Sequence, residues 1–345
     1  MRSCTHWICY VLSFALLPFS LGAAQLAQPE THLIKTGPDT VQWGHFDGSR
    51  PPIIHVNSGD IVEVETPLDG AKALQSFGAP AEVITAVSLE LEDIPQKDRG
   101  LGPNILVGPI AVNGAEPGDV LEVKIIELHP ADNYAENLFV PDGTLSEDLP
   151  RARARFIPLD KVRNVAVFAP GIEIPMRPFF GTMGVAPAAW LGRINDGPPD
   201  YIGGNLDNKE LVAGSVLYIP IQVKGGMFSV GDGHAGQGDG EVDGTALEVA
   251  LHGKLQLTVR KDMHLLWPRA ETPESYITMG FSPDLNRAAV QAVREMVRFL
   301  VEERHLSSED AYMLTSIAVD LRVTQVVDGT KGIHAVLPKR IFVQK

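Results

Sequence analysis

Apolar and polar positions alternate with period two over much of the first 130 residues. In Ile61-Val-Glu-Val-Glu65 and Val120-Leu-Glu-Val-Lys-Ile-Ile126 one face is aliphatic and the other charged, the pattern of a half-buried antiparallel strand. Pro52–Val56 and Ile105–Val107 read as shorter strands of the same kind. Two related phrases, Asn57-Ser-Gly-Asp60 and Ala115-Glu-Pro-Gly-Asp119, each lead into such a strand as a Gly-Asp turn, so Asp60 and Asp119 are read as structural. Between Asn133 and Asp200 the chain is rich in Pro, Arg and Gly. Only Asn164–Phe168 reads as a strand there, so an ordered connection roofing a pocket is expected.

The period then changes. Leu285, Ala289, Ala292, Met296 and Leu300 recur at helical spacing after Ser282-Pro283, predicting an amphipathic helix that ends near Arg304. Ser307 and Asp310 open a second helix carrying Ala311, Leu314 and Ala318, and strands are expected to return at Leu321–Val327 and Lys339–Val343. The expected fold class is α+β and β-dominated: an antiparallel β-sandwich or barrel-like body with a C-terminal helical hairpin and closing strands.

The N-terminus carries Arg2, an apolar run from Trp7 to Leu21 and the small residues Gly22, Ala23 and Ala24. This is the layout of a secretory signal peptide, so residues 1–24 are expected to be removed and residues 25–345 to act outside the cytoplasm, periplasmic or secreted, with no membrane attachment after cleavage. The remaining chain is read as one catalytic domain, divisible into a β-rich part over 30–130 and a catalytic and helical part over 131–345. Both cysteines, Cys4 and Cys9, lie in the leader, which excludes disulfides, thiolate ligands and a cysteine nucleophile from the rest. With 43 Asp and Glu against 29 Lys and Arg and no clustered basic run, nucleic acid is not an expected partner.

The chemistry gathers in Gly203-Gly-Asn-Leu-Asp207 and Gly231-Asp-Gly-His-Ala-Gly-Gln-Gly-Asp-Gly-Glu241, where acids, glycines and one histidine are denser than a strand or helix is expected to tolerate. His234 offers a nitrogen; Asp207, Asp232, Asp239 and Glu241 offer oxygens. That mixture suits a divalent ion, Zn²⁺ first, with Mn²⁺ or Ca²⁺ as alternatives. A structural calcium loop is the competing reading of the same glycines and acids, and with it an exported, calcium-stabilised β-sandwich binding module without catalysis. Gly231-Asp-Gly-His-Ala-Gly236 also matches the dinucleotide pattern, but Asp232 would repel a pyrophosphate and no helix pattern follows. There is no G-x-S-x-G elbow, which leaves a metal-activated water as the economical nucleophile.

These segments resemble the acetamidase/formamidase family. The likeness is carried by Gly114–Leu121, Met183-Gly-Val-Ala-Pro187, Gly203–Asp207, Val230–Glu241 with Glu248, and Thr324-Gln-Val-Val-Asp328, in that order. It implies a β-rich fold, hydrolysis of formamide- or acetamide-like linear amides to acid and ammonia, a divalent metal, and self-association as a homo-oligomer such as a dimer. The residue assignment expected here is His234, Asp207 and Asp232 for the metal, Glu241 as proton carrier and Asn205 as donor to the developing oxyanion. Arg99-Gly-Leu-Gly-Pro-Asn104 departs from the His-rich lead-in that relatives often show before the counterpart of Gly108-Pro-Ile110.

Overall fold

The computed structural model describes residues 28–141 and 143–343; the expected signal peptide lies outside them. Two open sheets face one another. The longer runs in the order Thr31–Ile34, Ile61–Thr66, Leu251–Arg260, Val120–Pro130, Val216–Pro220, Arg269–Glu271, Ser275–Ser282, Lys331–Pro338 and Asp320–Gln325, so strands from 30–130 and from 131–345 alternate within it. The shorter runs Gly203–Asn205, Phe179–Gly184, Phe228–His234, Ile105–Val112 and Val41–Trp43, with Ile54–Val56 added in parallel to Ile105–Val112. Among the described residues neither sheet closes on itself, so the β-dominated body is a sandwich and no closed barrel forms.

Alternation explains the packing. Val62 and Val64 point inward from one strand, Leu251, Leu255 and Leu257 from its neighbour, and they meet Leu106, Ile110, Phe180, Phe228 and Val230 of the opposite sheet in one continuous core. Each fully buried aliphatic side chain there contributes about 1.5–3 kcal/mol by leaving water.

The helical hairpin comprises Leu285–Arg304 and Ser308–Ala318. Asp284 caps the first helix by accepting from the Arg287 N–H, and Ser307 caps the second by accepting from the Asp310 N–H. Ala288, Ala292, Met296 and Phe299 bury against Ile333, Ala335 and Leu337, forming a second core outside the long sheet. Lys331–Pro338 is thereby covered on both faces, since Val336 belongs to the main core.

Three expectations are corrected. Residues 133–200 hold a four-stranded sheet of Tyr134–Phe139, Arg153–Asp160, Val165–Ala169 and Ile172–Pro175, in addition to the Phe179–Gly184 strand. Its strands are partly exposed, and their mixed polarity hid the period. Lys339–Ile341 is a 3₁₀ turn after Pro338, and the closing strand is the preceding Lys331–Pro338. Finally, Phe228–His234 is an interior strand despite its glycines. A Cβ on Gly231 would lie 2.5 Å from the Ile105 carbonyl oxygen, and one on Gly233 2.5 Å from Leu251 Cβ and from the Val249 carbonyl oxygen. These glycines permit close backbone approach within a sandwich and are not loop residues.

Candidate active site

Asp232 and His234 are two apart on one strand, so their side chains share a face. Opposite them, Phe179–Gly184 pairs in antiparallel register with Phe228–His234 on one side and Gly203–Asn205 on the other. Asp207 follows directly from that last strand. Glu241 and Glu248 enter from the loop after His234, where Glu248 bridges back to both His234 and Glu136. Asp328 arrives from the turn between Asp320–Gln325 and Lys331–Pro338, held near by the pairing of Gly240 with Gln325.

The result is one buried cluster. One ligand atom from each of Asp207, Asp232 and His234 lies within 4.8 Å of the others, as do those of His234, Glu241 and Glu248, and of Asp207, Glu241 and Asp328. His234, Asp207, Glu241 and Asn205 are all buried. Four of the acids, Asp207, Asp232, Glu241 and Asp328, adopt left-handed backbone, at φ values of 48°, 60°, 42° and 59°. Each such residue costs roughly 1–2 kcal/mol, and strain concentrated on one set of side chains is characteristic of a functional site.

Hydrogen bonds fix the imidazole. The Gln237 amide donates its Nε2–H to the Asp207 carbonyl at 3.0 Å, which turns Oε1 toward His234 Nδ1, also at 3.0 Å. Nδ1 must therefore carry a hydrogen, and Nε2 faces Asp232 Oδ1 at 3.0 Å and Glu248 Oε2 at 3.1 Å. Burial lowers the affinity of His234 for a proton, but the charges of Glu248 and Asp232 outweigh it and hold the imidazole well above its ordinary pKa. Burial likewise raises Asp232, yet His234 overcomes this and leaves that carboxyl below the usual range.

Asp207 and Glu241 are shifted the other way. Both carboxylate oxygens of Asp207 are buried without a hydrogen-bond partner. Burial, followed by the charges of Glu241, Asp232 and Asp328, pushes its carboxyl far up. Glu241 is raised well above its usual value by burial and by Glu248, Asp328 and Asp232, against the pull of His234. A largely buried cluster of five carboxyl groups and one imidazole is short of positive charge, and a divalent cation is the natural counterpart.

Asn205 lies directly against the cluster, beside Asp328. Its Oδ1 accepts from Thr182 Oγ1 at 2.6 Å and from Asn104 Nδ2 at 3.2 Å, while its Nδ2 donates to Asp328 Oδ2 at 3.1 Å. The Arg99–Asn104 segment thus reaches the site through Asn104, which is itself buried. Asp239 stays out of the cluster, paired with Lys209 at 2.9 Å near the surface.

The acetamidase/formamidase family model matches residues 102–197 and 193–344, most of the chain and every residue of this cluster. The chain belongs to the acetamidase/formamidase family. A solved acetamidase from Bacillus halodurans is 31% identical, with a TM-score of 0.77 over 90% of this chain and 98% of that one. A putative formamidase from Schizosaccharomyces pombe is 27% identical over 248 residues, 52% of this chain and 60% of that protein. A formamidase from Methylophilus methylotrophus is 29% identical over 212 residues, 46% of this chain and 52% of that protein. The aligned stretch therefore spans little more than half the length of these two curated relatives.

For this acetamidase/formamidase chain, reasoning from sequence assigned no role to Glu248 or Asp328. Glu248 follows Glu241 in the same loop and bridges back to His234, whereas Asp328 lies far along the chain and joins the cluster through the pairing of Gly240 with Gln325. A signal for Asp328 was present: it precedes a glycine, as Asp232 does, in the Asp-Gly context that accommodates a left-handed turn.

Proposed function

We propose that the chain hydrolyses linear primary amides, RCONH₂, to the carboxylic acid and ammonia, with a divalent ion held by His234, Asp207 and Asp232. The observation that carries this reading is the pair of buried, unpartnered Asp207 oxygens beside an imidazole whose Nδ1 is held by Gln237, which turns Nε2 toward Asp232 and Glu248. Nitrogen plus oxygen donors favour Zn²⁺ over the hard, all-oxygen preference of Ca²⁺, with Mn²⁺ also accommodated. When bound, such an ion polarises the amide carbonyl and acidifies a water.

The chain's own residues supply the rest. Glu241, whose carboxyl is raised by its surroundings, takes a proton from the attacking water and passes it to the departing nitrogen as the C–N bond breaks. Asn205 has one amide hydrogen on Asp328 and offers the other to the oxyanion, while Asn104 and Thr182 hold its carbonyl side in place. Gln237 keeps the imidazole in its ligating tautomer. In this reading the enzyme works as a homo-oligomer outside the cytoplasm, supported by the family likeness and by the leader-like residues 1–24.

The test is metal analysis of the purified protein, followed by ammonia release from a panel of linear amides with and without chelator. Glu241→Gln is expected to retain the metal and to lose turnover by about 10²–10⁴-fold. Normal ammonia release by that variant would remove Glu241 from the mechanism. Calcium alone with no turnover would favour the binding module instead.

A further inference from the structure

A cavity of about 680 Å³ adjoins the acidic cluster, with Glu241 and Gln237 in its lining. Liquid water occupies about 30 Å³ per molecule, so this space matches roughly twenty waters. It falls within the ~300–1,000 Å³ of pockets that enclose drug-sized ligands. Formamide and acetamide leave most of it unfilled.

The wall chemistry is specific. Ile157, Phe168, Ile174 and Leu247 give it an apolar side, with Ile157 and Leu247 almost fully buried. Its two cations are already engaged, Arg177 with Glu210 at 3.2 Å and Lys209 with Asp239 at 2.9 Å. Asp243 accepts from the Thr245 N–H at 3.3 Å and from Asn137 at 3.4 Å. The pocket therefore offers hydrophobic contact to a neutral group and, with both cations paired and Glu241 and Asp243 in its wall, no free positive charge to an anionic one.

We infer that the substrates are primary amides with a bulky, uncharged apolar acyl group, alkyl or aryl, seated against Ile157, Phe168, Ile174 and Leu247. The inference rests on the amidase reading above. Because that reaction releases ammonia, the nitrogen carries no substituent, and the remaining volume belongs to the acyl side. Each methylene that moves from water to such a wall raises the specificity constant roughly fourfold.

The experiment compares kcat/KM for acetamide, hexanamide and phenylacetamide, measured as ammonia release by the metal-loaded full chain. Hexanamide and phenylacetamide are expected to exceed acetamide by on the order of a hundredfold. Ile174→Trp, which fills the half-buried side of the wall, is expected to lower the phenylacetamide-to-acetamide ratio at least tenfold. If that variant does not fold, Ile174→Ala removes wall contact without adding bulk and is expected to lower the hexanamide-to-acetamide ratio severalfold. Acetamide as the preferred substrate, or a ratio indifferent to position 174, overturns the inference. Should no amide be turned over, the amidase reading falls, and calorimetric binding then judges the pocket separately. Saturable phenylacetamide binding weakened at least tenfold by Ile174→Trp upholds the apolar acyl site, and absence of binding refutes it.

Discussion

Gly181 shows how narrowly the cluster is built. It faces Asp232 across the sheet, and a Cβ there would lie 2.2 Å from Asp232 Oδ2, 2.7 Å from Asp207 Oδ1 and 2.9 Å from His234 Cε1. Its backbone is not left-handed, so space alone, and not conformation, demands glycine. Gly181→Ala is therefore expected to fold, with a Tm within a few degrees of the parent, while driving the two carboxylates apart. A displacement of about 1 Å at reacting groups costs on the order of 10²-fold. Ammonia release should fall by at least that much and metal affinity should weaken with it. Parent-like turnover by the alanine variant would show that Asp207 and Asp232 do not act together. At this scale the sequence was informative about which side chains come together, since His234, Asp232, Asp207 and Glu241 do converge. It was silent on Gly181, because a glycine required by neighbours distant in sequence looks like any other.

At the scale of elements, strands that alternate cleanly, such as Ile61–Thr66 and Val120–Pro130, were legible because one face is buried and the other charged. Strands covered on both sides were not. Lys331–Pro338 is buried through six consecutive residues, so no period marks it, and its helix-facing cover becomes visible only in three dimensions. The contact between that helix and the sheet depends on Gly280. A Cβ at this position would stand 2.1 Å from the Ala288 carbonyl oxygen and 2.5 Å from the Ala292 nitrogen, beside the bond from Thr278 Oγ1 to the Ala292 carbonyl. Gly280→Ala should force Leu285–Arg304 outward and destabilise the protein by about 1–3 kcal/mol, the usual cost of overpacking. Denaturant unfolding reads the loss. Because the hairpin supplies no residue to the acidic cluster, kcat of the folded fraction should be unchanged; a large fall in kcat would instead couple the hairpin to the site.

Over the whole molecule, buried ionisable groups away from the proposed ligands make stability depend on pH in opposing directions. His334 is fully buried, and burial lowers its pKa to about 4 from 6.5. Between those values the unfolded chain binds the extra proton, so this residue weakens the fold as pH falls. Glu136 does the reverse. It is 5% exposed, its Oε2 has no partner, and burial, then Glu248 and Asp243, push its carboxyl up from 4.5 to about 8. Between those values the folded chain holds a proton that the unfolded chain has released, so stability falls as pH rises. Asp196, also buried and raised to about 8, chiefly by burial, adds in the same sense. Below about pH 6.5 His334 opposes the two acids; from there to pH 8 they act unopposed. At full ionisation the Glu136 contribution has an upper limit on the order of 5 kcal/mol. Glu136→Gln keeps the shape of the protonated acid and cannot ionise. Its Tm is expected to exceed the parent's by several degrees at pH 8.5 and to differ little at pH 5, where the folded parent already carries the proton. An equal gain at both values would mean that glutamine improves packing and that ionisation of Glu136 is not what weakens the alkaline fold.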